Sequence, residues 1–181
     1  MVKKRYLMNF RKTTEADLAA VNAIFADARR SMKENGIDQW QNGYPADADI
    51  RYDIADGVSY VLCDDDGAIL ATCAVIHTGE PTYTEIRGGR WLTDTSDGAD
   101  ASYTAVHRVA TARAARGRGM ASRMLSEAAI LARKAGKLSL RIDTHKDNKP
   151  MQGMLARCGF QYCGEITLVN GEGRIAFEKY L

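Results

Sequence analysis

The stretch from residue 103 to about residue 135 places the strongest constraint on how this chain can fold. Its first part, YTAVHRVAT at 103–111, is rich in β-branched and aromatic residues, which predicts a β-strand. After a connection at 112–116, Gly117 and Gly119 open a helix in which apolar residues recur at helical spacing. The stretch therefore predicts a strand, a glycine-bearing turn and a helix.

The turn itself has the chemistry of a phosphate site. Glycines lack a Cβ atom, so a ligand can approach the backbone closely at Gly117 and Gly119. The first N–H groups of a helix have no partner inside the helix and, together with the helix dipole, they attract anions. Arg113, Arg116 and Arg118 add guanidinium groups that suit phosphate oxygens.

Two common phosphate motifs are absent from this turn. A Walker A loop needs Gly-x-x-x-x-Gly-Lys-Ser/Thr, which the stretch lacks. A dinucleotide fingerprint needs a third glycine where Ser122 stands. The glycine pair by itself leaves two interpretations open: a site for a phosphorylated small molecule, or an arginine-rich loop on an ordinary strand-to-helix turn.

A longer pattern is more specific. Arg116-x-x-Gly119-x-Ala121 resembles the Arg/Gln-x-x-Gly-x-Gly/Ala signature of the GCN5-related N-acetyltransferase (GNAT) family. The resemblance implies that the turn and the helix N-terminus hold the pyrophosphate of acetyl-CoA. It also implies that the preceding strand offers backbone groups to the pantetheine arm and the thioester. The implied cofactor-binding residues are Val109, Ala110, Thr111, Arg116, Gly117, Arg118, Gly119, Met120, Ala121 and Ser122.

A second block supports the resemblance. A strand at 138–143 is followed by Asn148, a helix and then Gly159-Phe160, an order similar to the family's second conserved block. Asn148 matches the Asn that commonly touches the pantetheine, and Asn is also a good helix N-cap. Many members carry a Tyr seven residues later, as the acid that protonates the leaving CoA thiolate, but here that position is Leu155. Three alternatives follow: another group protonates the leaving thiolate, water does so, or the thiolate needs no acid.

The resemblance implies an α/β (α+β) fold in one domain over residues 1–181. Its mixed central sheet has six or seven strands flanked by helices, and two parallel central strands, 103–111 and 138–143, splay apart at their C-terminal ends. Hydrophobic periodicity and turn residues predict the other elements. These are strands beginning at Phe10 and covering 58–63, 68–76, 160–166 and 174–181, and helices covering 14–31, 47–55 and 148–158.

Two irregular segments are candidates for the acceptor side of the site. The loop at 36–45 carries Trp40 and Tyr44. It either lines an acceptor pocket, as the matching segment often does in the family, or covers the core with its aromatic rings. The polar insertion at 80–100 is a second candidate wall, with loop composition over 93–100. The sequence leaves four classes of acceptor open: a small polyamine, an amino acid, an antibiotic and a protein N-terminus.

A base is needed because an amine is protonated at neutral pH and cannot attack a thioester in that form. The candidates are Asp143 at the end of its strand, His107 on the central strand and His145 in the next loop. Period-two alternation places His107 on one face with Val109 and Thr111, and its mid-strand position predicts burial. Because Asp143 should face the gap between the splayed strands, we expect it to be the base, with His107 second. A structural role is the alternative for each.

Composition argues against several other classes. The net charge of +2 is too small to indicate nucleic-acid binding. There is no run of about 18 apolar residues to span a membrane, and the first residues lack the apolar core of a signal peptide. Four cysteines without Cys-x-x-Cys spacing and three histidines argue against zinc and for free thiols in a reducing cytoplasm.

We therefore expect a cytoplasmic, bacterial-type acyltransferase that moves an acetyl group from acetyl-CoA to an amine by direct attack and without a metal. The sequence is compatible with a homodimer. The missing Tyr keeps a second hypothesis open, a non-catalytic module that binds or senses acyl-CoA on the same fold. A nucleotide binder that uses the same glycine turn is the third.

Overall fold

The structure, a computed structural model, describes residues 8–93 and 98–181. Within these residues, seven strands form one mixed sheet in the order β1-β2-β3-β4-β5-β7-β6. The strands are β1 (Asn9–Lys12), β2 (Ser59–Cys63), β3 (Ile69–Ile76), β4 (Tyr103–Thr111), β5 (Ser139–Thr144), β6 (Gln161–Thr167) and β7 (Gly173–Tyr180). The helices are α1 (Leu18–Glu34), α2 (Asp47–Ala55), α3 (Met120–Lys134) and α4 (Lys149–Arg157). The predicted fold class, a mixed sheet of six or seven strands flanked by helices, is confirmed.

The central strands β4 and β5 are parallel and then separate. Tyr103 pairs with Ser139 and Ala105 with Arg141, and the described register ends there although both strands continue. The other neighbouring strands of the described sheet pair in antiparallel fashion. The predicted splay is therefore confirmed, and it leaves a gap between the C-terminal halves of β4 and β5.

Separate apolar clusters cover the two faces of the sheet. Met124 of α3 and Leu155 of α4 are fully buried against one face. Phe25 of α1 packs on the opposite face together with the apolar side of α2. Farther along that face, Tyr83 and Trp91 of the β3–β4 insertion take the place of a helix. The insertion is thus part of the packed core and not merely a surface loop.

A buried ion pair fixes this insertion to the sheet. Arg141 of β5 and Glu178 of β7 have no exposed side-chain surface, and Nε of the arginine lies 3.1 Å from Oε1 of the glutamate. The guanidinium carbon is 3.8 Å from the ring centroid of Tyr103 and 4.3 Å from that of Trp91. Glu178 also accepts the backbone N–H of Leu92. The pair therefore helps to position the insertion on the sheet.

The insertion also lies directly on β6. The backbones of Arg87 and Glu165 exchange hydrogen bonds of 2.9 and 2.8 Å. Only glycine fits at position 89, because a Cβ atom on Gly89 would come within 2.0 Å of the Cys163 carbonyl oxygen. These contacts hold the backbone that follows Tyr83, and so they help to place that side chain beneath the site.

Helix α1 begins and ends later than the sequence predicts. Thr14 starts a 3-10 turn at Glu15–Asp17, in which its N–H donates to Asp17 Oδ2 at 2.8 Å, and the α-helix follows. The helix then runs to Glu34 because Met32 continues its apolar stripe. Of the predicted loop at 93–100, residues 94–97 lie outside the described residues. No helix in the described part of the chain is both long and apolar enough to cross a membrane.

The cysteines carry free thiols whose reactivity is governed by burial. Burial raises the pKa of Cys73 to about 12 and that of Cys163 to about 11, and it also raises the pKa of Cys63. Because the thiolate is the reactive form, we expect these three to resist DTNB in native protein at pH 8, while half-buried Cys158 reacts. Titration of native and urea-unfolded protein checks this. A fast-reacting thiol in native Cys158→Ser would contradict it.

Candidate active site

A cavity of about 400 Å³ lies in the gap where β4 and β5 separate. Side chains reach it from both strands, from the loop before α2, from the insertion and from the β6–β7 hairpin. Four of the residues that the sequence assigns to catalysis or cofactor binding line it: His107, Val109, Asp143 and Asn148. Other lining residues are Gln39, Trp40, Tyr44, Glu80, Thr82, Arg108, Leu168, Glu172 and Arg174. The gap therefore brings both candidate bases, Asp143 and His107, to one place.

A β-bulge in β4 sets the orientation of the side chains at this gap. Ala74 of β3 pairs with His107, and Thr72 pairs with Ala110, so β4 carries one extra residue between the two pairs. Val109 consequently packs in the cluster with α3, whereas Ala110 packs in the cluster with α1. The alternation of faces along β4 is therefore reversed after the bulge.

The prediction that His107 shares a face with Val109 and Thr111 is wrong for this reason. Arg108, inside the bulge, has φ of 54°, which is an uncommon conformation for a residue other than glycine. The expected burial of His107 is also incomplete, because 17% of its side chain is exposed and it lines the cavity. His107 thus stands beside Asp143 as an accessible group.

His107 lies between two carboxylates. Its Nε2 atom is 3.0 Å from Oε2 of Glu80, and its Nδ1 atom is 3.9 Å from Oδ1 of Asp143. The first contact is an ion pair by distance, although its angle falls outside hydrogen-bonding geometry. Tyr83, buried beneath, donates its hydroxyl to Asp143 Oδ1 at 2.7 Å. Glu80, His107 and Asp143 are called the carboxylate–imidazole cluster below.

The contacts of Glu80 favour its charged form. Burial by itself would raise its pKa, but His107 and the hydrogen bonds from Thr82 outweigh burial and lower the pKa to about 2. Burial, reinforced by the neighbouring Asp143, raises the pKa of Tyr83 well above its usual value. Tyr83 therefore stays a hydroxyl donor, and Glu80 presents a carboxylate to the cavity.

Gln39 ties the loop before α2 to the start of α4. Its Oε1 atom accepts hydrogen bonds from Asn148 Nδ2 at 2.9 Å and from Thr144 Oγ1 at 3.2 Å. Asn148 in turn accepts the N–H of Met151 through Oδ1 at 3.2 Å, as a helix N-cap does. Asn148 therefore caps α4 and lines the cavity, so its two predicted interpretations are compatible.

The aromatic residues of the same loop line the cavity and also pack on the core. Trp40 meets the ring of Phe25 edge to face, with centroids 5.7 Å apart. Arg108 donates to the hydroxyl of Tyr44 and, through Nη2, to Oδ1 of Asp53 at 2.7 Å. The loop is thus anchored to α1 at one aromatic residue and to the bulge at the other.

The turn before α3 is open and rich in positive charge. Gly119, with φ of 79°, is the residue that precedes α3, and the helix has no side-chain cap. Apart from the adjoining residues of the chain, no described atom lies within 4 Å of a Cβ built on Gly117 or Gly119. Arg113, Arg116 and Arg118 are exposed around it. Of the other residues implied by the signature, Met120, Ala121 and Ser122 form the first turn of α3, and Val109, Ala110 and Thr111 end β4.

The sequence model of the Acetyltransferase (GNAT) family matches residues 22–160. The chain belongs to this family. It is accordingly an N-acetyltransferase, and the family uses acetyl-CoA. No protein with a curated functional description matches the sequence.

Solved structures of other GNAT proteins share the fold. A GNAT acetyltransferase from Streptococcus agalactiae 2603 is 33% identical, covering 96% of this chain and 95% of its own, with a TM-score of 0.84. One from Listeria monocytogenes 4b F2365 is 23% identical, with coverage of 96% and 95% and a TM-score of 0.73. A phosphinothricin acetyltransferase from Sinorhizobium meliloti, solved in complex with AcCoA, is 16% identical, with coverage of 96% and 88% and a TM-score of 0.65.

Two other positions considered for chemistry in this GNAT chain lie apart from the cavity. His145 accepts the N–H of Asp147 at 3.2 Å and faces a neighbouring pocket. Leu155, at the position of the usual Tyr, is fully buried in the core and carries no proton to donate. In the described residues, no group of three or more His, Cys, Asp or Glu side chains is arranged to hold a metal ion.

Sequence reasoning missed three residues of this GNAT site: Glu80, Tyr83 and Gln39. Glu80 had a weak signal, because it precedes Pro81 and its side chain caps the 3-10 turn that starts there, accepting the N–H of Thr82. No sequence pattern indicates Tyr83 or Gln39, since each reaches the site through contacts with residues far away in the sequence.

Proposed function

We propose that this GNAT enzyme transfers the acetyl group of acetyl-CoA directly to an amine that enters the cavity between β4 and β5. The observation that carries the proposal is the convergence of Glu80, His107 and Asp143 on that cavity. They come from the insertion, β4 and β5, so the splay and the insertion together create one place where a proton can be taken from an acceptor.

The turn before α3 fits the pyrophosphate of acetyl-CoA. The space above Gly117 and Gly119 is open, the N–H groups of the first turn of α3 point outward, and Arg116 and Arg118 stand beside them. Acetyl-CoA, when bound, supplies an acetyl group activated as a thioester. Val109, Ala110 and Thr111 end β4 beyond its described pairing with β5, so we assign their backbone to the pantetheine arm, with Asn148 on the opposite side.

The carboxylate–imidazole cluster takes the proton from the acceptor. In the overall reaction a nitrogen–carbon bond forms and the carbon–sulfur bond breaks. The ammonium group gives up two protons, of which one ends on the CoA sulfur and the other reaches solvent. Asp143 and His107 are assigned as the groups that accept the first proton, since their facing atoms are 3.9 Å apart and both line the cavity.

The departing thiol needs no dedicated acid in this proposal. Leu155 offers none, and the described residues of α4 include no Tyr, His or Cys. A thiol has an ordinary pKa near 8.5, so a thiolate is an acceptable leaving group near neutral pH. The proton that the sulfur later takes comes from water or from the protonated cluster.

Two measurements test the proposal. Calorimetry should detect acetyl-CoA binding with an affinity on the order of micromolar. Thiol release from acetyl-CoA should then depend on one or a few members of an amine library, after subtraction of the protein's own thiols. Binding without amine-dependent release would favour the acyl-CoA sensing module, and displacement by nucleotides rather than CoA would favour the nucleotide binder. No binding by folded protein would reject the proposal.

Replacement of Gly119 by Val should weaken acetyl-CoA binding by about tenfold or more, because the added side chain fills the space assigned to the pyrophosphate. Gly67→Val is the matched control. Gly67 has φ of 82°, against 79° for Gly119, and also has open space, but it lies in the β2–β3 turn. Both variants carry a strain of about 1–2 kcal/mol. Calorimetry on both compares the affinities, and equal affinities would refute the assignment of the turn.

A further inference from the structure

The charges that line the cavity are not balanced. The two arginines among the lining residues are each held by a carboxylate. Arg108 places Nε 2.6 Å from Oδ2 of Asp53, and Arg174 places Nη2 2.5 Å from Oε2 of Glu172. Each pair is close to neutral, so neither arginine gives the cavity a free positive charge.

Glu80 and Asp143 are in the opposite situation. Within the described residues, neither carboxylate has a Lys or Arg within 4 Å. Their contacts are with the imidazole of His107 and with the neutral donors Thr82 and Tyr83. The imidazole carries at most one positive charge, which faces two negative ones. Two ionised carboxylates that face one imidazole therefore give the acceptor side of the cavity a net negative charge.

Another part of the cavity wall is apolar and aromatic. Trp40 and Tyr44 stand on the side of the loop before α2, and Ile76 and Leu168 stand on the side of β3 and the β6–β7 hairpin. Such a wall suits a hydrocarbon or aromatic body on the acceptor. A carboxylate on the carbon next to the acceptor nitrogen would have to lie close to Glu80 and Asp143, where like charges repel each other.

We propose that the acceptor is a small primary amine with no carboxylate on the carbon that bears the nitrogen, and that Glu80 and Asp143 determine this specificity. The inference rests on the proposed function, because it concerns the acceptor of that same site. Amines of this class include arylalkylamines and other decarboxylated amino acids. Free α-amino acids are excluded by charge and not by size.

Matched acceptor sets test the inference. Phenethylamine, phenylalaninamide and phenylalanine share one ring and one amine, and only phenylalanine carries an α-carboxylate. Agmatine, argininamide and arginine form the second set. For each compound, binding is measured by calorimetry with and without saturating CoA, and kcat/KM is corrected for the fraction of unprotonated amine. We expect phenylalanine to bind and react at least about tenfold more weakly than the other two in its set.

Glu80→Gln probes the origin of the discrimination. Gln retains an oxygen that can accept the hydrogen bonds from Thr82 but removes one negative charge. The variant should narrow the ratio of affinities between phenethylamine and phenylalanine by about tenfold. Asp66→Asn, in the exposed β2–β3 turn, changes the net charge of the protein equally and should leave the ratio unchanged.

The outcomes separate this inference from the proposed function. If phenylalanine matches phenethylamine while acetyl-CoA binds normally, the inference is overturned and the proposed function stands. If phenylalaninamide is as poor as phenylalanine, exclusion is steric and the charge argument is overturned. If acetyl-CoA binds but no compound of either set accepts its acetyl group, the inference is overturned. If acetyl-CoA does not bind at all, the proposed function fails, which calorimetry with acetyl-CoA alone reveals.

Discussion

Replacement of Asp143 by Asn is expected to lower the rate of acetyl transfer by about a hundredfold or more and to leave acetyl-CoA affinity unchanged. Asn has nearly the same shape and can still accept the hydroxyl of Tyr83, which donates to Oδ1 at 2.7 Å. It cannot take up a proton, and it removes the negative charge that lies 3.9 Å from Nδ1 of His107. Steady-state kinetics with an identified acceptor and calorimetry with acetyl-CoA measure the two quantities.

His107→Gln shows whether the two residues act as one unit. If they share the proton, the double variant should lose little more than either single variant, because groups that act together are not additive. Tyr83→Phe is the matched control, since it removes the hydroxyl and keeps the carboxylate. We expect it to cost about tenfold or less, the usual effect of one hydrogen bond.

Two results would contradict the assignment of Asp143. Unchanged turnover in Asp143→Asn, with an acceptor in hand, would show that its carboxylate takes no part in the proton transfer. A full loss confined to His107→Gln would assign the proton to the imidazole alone. In either case the acetyl-CoA affinity of the variant must match that of the original protein, so that a misfolded sample is recognised.

The elements around the turn with Gly117 and Gly119 were predictable because their signals are local. A β-branched run, two glycines and a 3.6-residue apolar stripe each act over a few residues, and they predict β4, the turn and α3 close to their observed bounds. The gap between β4 and β5 followed from the resemblance to the GNAT family. This gap brings Asp143 and Asn148 to the cavity, as expected for residues at and just after the C-terminal end of a splayed strand.

The composition of the carboxylate–imidazole cluster was not predictable in the same way. Glu80 reaches His107 because the insertion crosses the sheet along one path, and that path is set by contacts between residues far apart in the sequence. The face on which His107 lies depends on an extra residue in β4, and this becomes visible only in the register with β3. Period-two alternation cannot anticipate a bulge, so it assigned Val109 to the wrong face.

Glu178→Gln is expected to destabilise the protein by about 3–5 kcal/mol, because it removes the carboxylate charge that lies 3.1 Å from Nε of the fully buried Arg141. For a chain of this size, that loss lowers Tm by roughly 10 °C. Urea unfolding followed by circular dichroism measures the free energy. Glu15→Gln is the control: its carboxylate also pairs with an arginine, Arg51, but the two side chains are 61% and 53% exposed, so its loss should cost less than about 1 kcal/mol.

The double variant Arg141→Met with Glu178→Leu separates two roles of the ion pair. One is the mutual compensation of the two charges, and the other is the attachment of the insertion to the sheet through Glu178. Replacing both members of a buried pair by apolar residues is often close to neutral. Here Glu178 also accepts the N–H of Leu92 and the hydroxyls of Thr93 and Ser139, and a leucine leaves these donors without that acceptor. We therefore expect the double variant to recover only part of the stability lost in Glu178→Gln. Full recovery would mean that the pair's charges alone matter and that the insertion is held by its contacts with β6.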